Sequence, residues 1–397
     1  MRRRTQLLHD RRENLSENQT RITTTVERNA PPSTDLTWHG ESFSKRFQLP
    51  VMHLPPGQLK VVLILALLQE LQVKPQRDLF QGLFEKDLQL CPDCFSGQRE
   101  QCEEIFQKIA EPSDWSRLLK AISLLVDRRT IYFLELKEDH KETKVVAKRK
   151  DIHVQKHEAE IAEKEFLELE ERPGGFHLCR TSLSKPRFVD YLSRRGHASA
   201  STWFYMMHYV SPLLMQELYL LEFPVPKTWA TCGLTHFQSY AGRTLMHYAD
   251  AEENLRLELS RQLLQLSLKL TFGFSDFRIY LTDFTADNLA YDEDSKKVVL
   301  IDLDSLVLVD AASTSGQAQK YEPLPGEGFT FNVSAFCSGQ QLDANVYQAC
   351  LLLRDVLLKT IDNERLQLLL EQCVACQDDL CDMRFQQAYD LIKLLES

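Results

Sequence analysis

The stretch 279–304, IYLTDFTADNLAYDEDSKKVVLIDLD, limits what this chain can become more than any other. Asp283 and Asn288 stand five residues apart in a polar turn, and fourteen residues beyond the Asn, Asp302 ends the apolar β-type run VVLI. Three oxygen-bearing side chains on two adjoining turns suit a hard cation. A plain β-hairpin with acidic turns accounts for the same residues, since Asp292-Glu293-Asp294-Ser295 is an ordinary turn and Asp-x4-Asn is a common pair. The surrounding chain has to decide between them.

A chain of 397 residues, 43% of them hydrophobic, is long enough for two or three domains with a sizeable core, and a two-lobed enzyme fits that size. The net charge of −10 argues against nucleic-acid binding, because phosphate neutralisation needs a basic face. Charge is unevenly spread: residues 1–51 hold nine Lys/Arg against six Asp/Glu, a net of +3, so the remainder carries −13.

Ten cysteines fall in two clusters, Cys91, Cys94 and Cys102, then Cys373, Cys376 and Cys381, with Cys179, Cys232, Cys337 and Cys350 between. An even count permits complete disulfide pairing, which would require an oxidising compartment. Each cluster also holds a Cys-x2-Cys pair, and two such pairs can build a tetrahedral zinc site, although no His stands beside either at ligand spacing. Free buried thiols are the third reading.

The compartment turns on the run 59–68, LKVVLILALL. Its apolar core is too short to cross a bilayer, which takes about 20 residues. It fits the core of a signal peptide or short signal-anchor over 52–73, behind Lys60 and a Pro-Gly turn, if Met52 begins the physiological chain. Residues 1–51 are then an extension, and their Arg-, Thr-, Asn- and Pro-rich composition predicts disorder. A buried strand or helix is the alternative for 59–68.

From 78 to 110 the chain reads as short helices, and 114–125 continues helical with Trp115, Leu118, Leu119, Ile122 and Leu125 on one face. RRTIYFLELKED and ETKVVAKR are β-type runs joined by a charged turn, a hairpin whose second strand closes on Lys148. An acidic helix over 155–171 follows, ended by Pro173-Gly174-Gly175. The aromatic and Met-rich region 186–222 predicts a buried helix pair. CGLTHFQSYAG then reads as a strand with a hinge at 240–242, and 250–272 as an amphipathic helix with Leu255, Leu259, Leu263, Leu266 and Leu270 on one stripe. That helix leads directly into the Asp283 loop. The segment 310–342 is Ser-, Gly- and Pro-rich with a glycosylation acceptor at Asn332, and three helices follow near 343–360, 363–377 and 383–396.

Taken together, CPDCF, RTIYFLELKED, KVVAKR, ATCGLTHFQSYAGR, YLTDFTADNLAYD and VVLIDLD resemble the divergent protein kinase domain 2 family, the deleted-in-autism-1 group of secretory-pathway kinase-like proteins. The resemblance runs from about Cys91 to the C-terminus. It implies an α+β, two-lobed protein-kinase-like fold: a Cys-containing small lobe with an antiparallel sheet, helices and a helical insertion over 78–240, and a mainly helical large lobe over 243–397. It implies passage through the endoplasmic reticulum and Golgi, with secretion open to it, and disulfide-bonded cysteines; if Met52 begins the chain, Asn332 is then expected to be glycosylated. Position by position, it makes Lys148 the strand lysine that meets nucleotide phosphates, Asp283 the catalytic-loop base, and Asn288 and Asp302 the holders of Mg²⁺. Such a lysine pairs with a Glu of the next helix; Glu158, nearest the helix start, is placed ahead of Glu160 and Glu163. ATP and Mg²⁺ or Mn²⁺ are the implied cofactors. A protein substrate or a cell-surface receptor is the expected partner, with no nucleic acid and with membrane contact only through the N-terminal signal-anchor.

The departures from the kinase pattern bear on activity. No glycine lies between Gly97 and Gly174, so a Gly-rich phosphate loop ahead of Lys148 is absent. Leu281-Thr282 replaces His-Arg before Asp283, Thr285 stands in place of a charge-stabilising Lys, and Leu303-Asp304 replaces Phe-Gly after Asp302. The expectation is a secretory kinase-like protein that binds a nucleotide with Mg²⁺ and transfers phosphoryl groups; the alternative is a secreted pseudokinase that acts as a signalling ligand or trafficking partner without catalysis.

Overall fold

The computed structural model describes residues 76–110, 131–138, 141–151, 176–179, 184–274, 276–311, 318–321, 333–337, 341–376 and 384–396. All lie within the unit Leu68–Ser397. The expectations for 1–51, the run 59–68, the helix 114–125, the acidic helix with Glu158, Glu160 and Glu163, and Asn332 lie outside the described residues.

The elements follow in chain order as α1 (Gln76–Leu90), α2 (Arg99–Lys108), β1 (Ile131–Glu138), β2 (Lys141–Arg149), β3 (Phe176–Leu178), α3 (Ser184–Arg194), α4 (Ser199–His208), α5 (Ser211–Leu220), β4 (Thr228–Cys232), β5 (Thr235–Ser239), β6 (Arg243–Thr244), α6 (Glu253–Phe272), β7 (Phe277–Leu281), β8 (Leu289–Asp292), β9 (Lys297–Leu300), β10 (Leu306–Asp310), α7 (Ala344–Leu352), α8 (Glu364–Ala375) and α9 (Arg384–Leu395). The fold is α+β and kinase-like, with an antiparallel sheet β1-β2-β5-β4 in the first half and a mainly helical second half.

Period-two alternation decides what each face of the first sheet does. On β2, Val145 and Ala147 are buried, and Ala147 pairs with Phe237 of β5. Phe237 meets Phe80 of α1 and Phe106 of α2 edge to face, at centroid distances of 5.2 and 6.2 Å, so this face is the one the helices cover. Arg149, in phase with these residues, forms a bidentate pair with Asp87 of α1, both contacts at 2.8 Å. The intervening residues Lys148 and Lys150 therefore point away from those helices, toward the second half. The same alternation on β1 buries Leu134 and Leu136 and exposes Phe133.

The turn between β4 and β5 depends on Gly233, whose φ is +58°; a Cβ there would overlap the Asp87 carboxylate. Asp87 also accepts the Leu234 amide at 2.9 Å. One carboxylate thus joins a helix, a turn and the Lys-bearing strand. The disulfide Cys102–Cys232 ties α2 to β4, and Cys91–Cys94 closes the short helix Pro92–Phe95.

The second half is built around α6. Leu259, Leu263, Leu266 and Leu270 are buried along it, each contributing roughly 1.5–3 kcal/mol relative to an exposed side chain. It packs against α7 and α9. Helix α7 widens into a π turn at Leu353–Leu357, where the Leu358 amide donates to the Leu353 carbonyl at 2.7 Å, and α8 starts on Asn363, whose side chain accepts the Leu366 amide at 3.1 Å. Arg384 and Asp343, both buried, pair at 3.1 Å, and Arg384 also donates to the carbonyls of Tyr321, Cys373 and Val374.

Two small sheets carry the loops of interest. In β3-β10-β7, β3 runs parallel to β10, so the segment at 176–178 pairs with the second half, as does α3 after it, whose Arg187 meets Asp310 at 2.6 Å. Cys179–Cys337 pins the same place. The other sheet is β6-β8-β9, in which Leu289 faces Leu300. Gly242, with φ +92°, lets the hinge approach this hairpin, since a Cβ would overlap the Tyr291 carbonyl.

Every described cysteine is disulfide-bonded. Cys373 pairs with Cys350, and Cys91 with Cys94, so the two Cys-x2-Cys motifs are not joined as a zinc site. Among the described residues no helix is long and apolar enough to cross a membrane.

Candidate functional site

Lys148, Asp283, Asn288 and Asp302 come to adjoining positions on four elements, and local register explains why. Leu289 pairs with Leu300, and one step further the Ile301 amide donates to the Asn288 carbonyl at 3.0 Å. Asn288 and Asp302 are therefore brought together at the open end of the β8–β9 hairpin. Asp283 joins them because the Asn288 side-chain amide donates to its carboxylate at 2.9 Å and to its carbonyl at 3.0 Å. Lys148 arrives from the first half. Its ammonium donates to the Ile301 carbonyl at 2.7 Å and to Asp302 Oδ2 at 3.1 Å, with Lys148 16% and Asp302 31% exposed. Asp302 Oδ1 accepts the Asp304 amide at 2.8 Å, a local turn that sets the carboxylate plane.

The loops are held from below by α7. Asn345 accepts the Leu281 amide at 3.1 Å and donates to the Ile279 carbonyl at 2.7 Å; Gln348 accepts the Phe284 amide at 3.3 Å and donates to the Leu281 carbonyl at 2.7 Å. Both side chains are buried. The Thr282 amide donates to Ser305 at 3.1 Å, linking the Asp283 loop to the Asp302 loop. Sequence reasoning missed Asn345 and Gln348. The available signal was two amides in the otherwise apolar helix ANVYQACLL, since buried polar side chains need specific partners.

Two further groups face the site. His236 stands opposite Lys148 in the β2–β5 register and is fully buried. Burial, with the Lys148 charge adding to it, pushes its pKa down to about 3, so the ring is neutral. Its Nε2 meets Thr228 at 3.1 Å, while Nδ1 has no hydrogen-bond partner among the described residues. Tyr209, buried at the end of α4, has its hydroxyl pKa raised by burial and by the nearby carboxylates of Asp304 and Asp302.

The donor set fits a hard cation. Asp302, Asn288 and Asp283 offer oxygens only, and Mg²⁺ is typically held by one or two carboxylates with phosphates and waters completing its shell. Among the described residues no cluster of three or more His, Cys, Asp or Glu is arranged for a metal, and here an amide stands where a third carboxylate would be. On the outer face of β8–β9, Ala290 and Val299 pack with Ala241 of the hinge and with Ile301, a small apolar cluster apart from the main core. A groove of about 1260 Å³ behind the hinge and a polar hollow of about 420 Å³ beside α3 are lined by none of the four site residues.

Residues 203–377 match the family model described as the protein-kinase domain of FAM69. That stretch includes Asp283, Asn288 and Asp302 and begins after Lys148. The chain is also similar to divergent protein kinase domain 2A of Xenopus tropicalis, with 27% identity over 150 residues, and to the proteins of that name from Homo sapiens and Mus musculus, each 25% identical over 150 residues. Each match covers 35% of this chain and 35% of the relative, so the chain matches about a third of the length of these curated relatives.

Proposed function

Taking as premise that the chain is a kinase-like relative of the divergent protein kinase domain 2 family, we propose that it binds a nucleoside triphosphate with Mg²⁺ or Mn²⁺ and transfers a phosphoryl group to a hydroxyl acceptor. The observation that carries this reading is the contact of Lys148 with Asp302 across 154 residues of sequence, beside the Asn288–Asp283 pair. A lone hairpin with acidic turns has no reason to draw a lysine from another sheet. Lys148 would turn its ammonium from the Ile301 carbonyl to phosphate oxygens, Asn288 and Asp302 would hold the metal, and Asp283, with one oxygen fixed by Asn288, would take the acceptor proton. Bound Mg²⁺ would supply charge neutralisation on the phosphates.

Thermal unfolding of the secreted protein with ATP and either metal tests the reading. Ligand at about 100 times Kd should stabilise by about 2.7 kcal/mol, and Asp302→Ala should abolish the metal-dependent part. No shift of the wild-type protein with either metal overturns it.

A second reading, a pseudokinase acting on a cell-surface receptor through its surface, draws on Leu281-Thr282, Thr285 and Leu303-Asp304, where transition-state charge lacks its usual partners. It expects Asp283→Asn to leave receptor binding intact. Disulfides spanning 130 and 158 residues support a secretory-pathway location under either reading.

A further inference from the structure

A second ion pair lies one rung along from the first. Lys150 Nζ meets Asp304 Oδ2 at 2.9 Å, as Lys148 meets Asp302, so residues two apart on one strand face residues two apart on one loop. Alternation makes this parallel arrangement inevitable once Lys148 faces the site, because Lys150 must share its side of the sheet. The backbone at Lys150 is fixed, since its amide donates to the Leu234 carbonyl at 3.0 Å and extends the β2–β5 ladder. Its ammonium also lies 5.8 Å from the ring centroid of buried Tyr209. Asp304 in turn acts on Asp302 directly, its amide holding Oδ1 while Lys148 holds Oδ2.

The two oxygens of Asp302 are therefore secured in different ways. Oδ1 is held by its own loop, which Lys150 anchors to the strand through Asp304. Oδ2 is held by the ammonium that a phosphate would compete for. Thr282 and Asn288 hold this loop within the second half, but if Lys148 were its sole tether to the strand, departure toward a phosphate would free that side at the moment the metal needs it.

We infer that Lys150 and Asp304 are a positioning pair that holds the Asp302 loop to the small-lobe strand, so that Lys148 can leave Asp302 while the carboxylate keeps its orientation toward the metal. The metal half of this inference rests on the nucleotide reading above; the tether half does not. Hydrogen exchange of the intact, disulfide-bonded, metal-free protein reads the tether alone. In Lys150→Ala and Asp304→Asn the amides at 302–305 should exchange up to about fivefold faster, as for loss of a favourable part-exposed ion pair. The charge-exchanged double variant Lys150→Asp with Asp304→Lys should return them toward the wild-type rate, a rescue that general destabilisation does not give.

Titration of MgCl₂ against a fixed concentration of fluorescent ATP reads the second half. The single variants should raise the Mg²⁺ concentration at half-saturation by about tenfold, the lower range for losing a group that orients a metal ligand, while affinity for the nucleotide in EDTA stays the same. Unchanged exchange at 302–305 overturns the tether. Faster exchange with an unchanged Mg²⁺ requirement overturns the positioning role. Faster exchange in the variants with a wild-type protein that binds no nucleotide overturns the site reading and the metal half together, with the tether supported.

Discussion

Replacing Asp87 by Ala should be among the most damaging single changes in the first half of the molecule. The carboxylate is 4% exposed, accepts both terminal nitrogens of Arg149 at 2.8 Å, and also accepts the Leu234 amide at 2.9 Å. Truncation leaves a part-buried guanidinium and a buried amide without this acceptor. Removing one side of a buried pair costs about 3–5 kcal/mol. Arg149 is 18% exposed and keeps Thr235 Oγ1 at 3.1 Å, which allows partial rehydration and places the expected loss near the lower end, about 3 kcal/mol. Urea unfolding of the oxidised protein should show the midpoint falling with the slope preserved, because the same surface is exposed on unfolding. Substituting both partners, Asp87→Leu with Arg149→Met, should recover only the ion-pair part of the loss, since apolar residues of similar volume need no partner while the Leu234 amide still lacks its acceptor. A loss below about 1 kcal/mol for Asp87→Ala, the range of an exposed pair, would refute the view that this carboxylate locks the strand carrying Lys148.

Three other outcomes follow from the same structure. Cys102→Ser with Cys232→Ser opens a loop of 130 residues and should lower stability by at most about 5 kcal/mol, measured by denaturant unfolding, with Cys91–Cys94 intact as shown by peptide mapping. Gln348→Leu removes the partner of the Leu281 carbonyl and the Phe284 amide; it should cost about 1–3 kcal/mol and speed hydrogen exchange over 281–285, while unchanged exchange there would remove α7 as the anchor of the Asp283 loop. His236 is held neutral with its pKa near 3 against 6.5 when exposed, so its contribution is fully present above pH 6.5 and is lost as pH falls toward 3, at up to about 1.4 kcal/mol per pH unit. His236→Gln should flatten the stability profile between pH 6.5 and 5 relative to wild type, and an identical slope in the two proteins would rule out that titration.

Much of the fold was legible because its cues are local. Alternation and a charged turn mark the β1–β2 hairpin, Leu spacing marks α6, and a turn between β-type runs marks β8–β9, where the observed strands lie. The order Lys148, Asp283, Asn288, Asp302 was legible for the same reason, since each residue closes or opens a recognisable strand. Even the approach of Asn288 to Asp302 is contained in a hairpin of known register.

What lay beyond the sequence is every choice among chemically equivalent partners far apart in the chain. Composition cannot tell whether Cys102 pairs with Cys94 or Cys232, nor which of the many carboxylates receives Arg149; the positions of α1 and α2 on the sheet settle both. Phe176–Leu178 carries no sign that it will lie parallel to β10. Asn345 and Gln348 look like ordinary polar residues until α7 passes beneath the Asp283 loop. Periodicity and turn chemistry act over a few residues, so sequence alone determines the elements and the order of the site. Pairing at separations such as the 154 residues between Lys148 and Asp302 costs chain entropy that only the assembled core offsets, so tertiary packing decides which charges, thiols and amides finally meet.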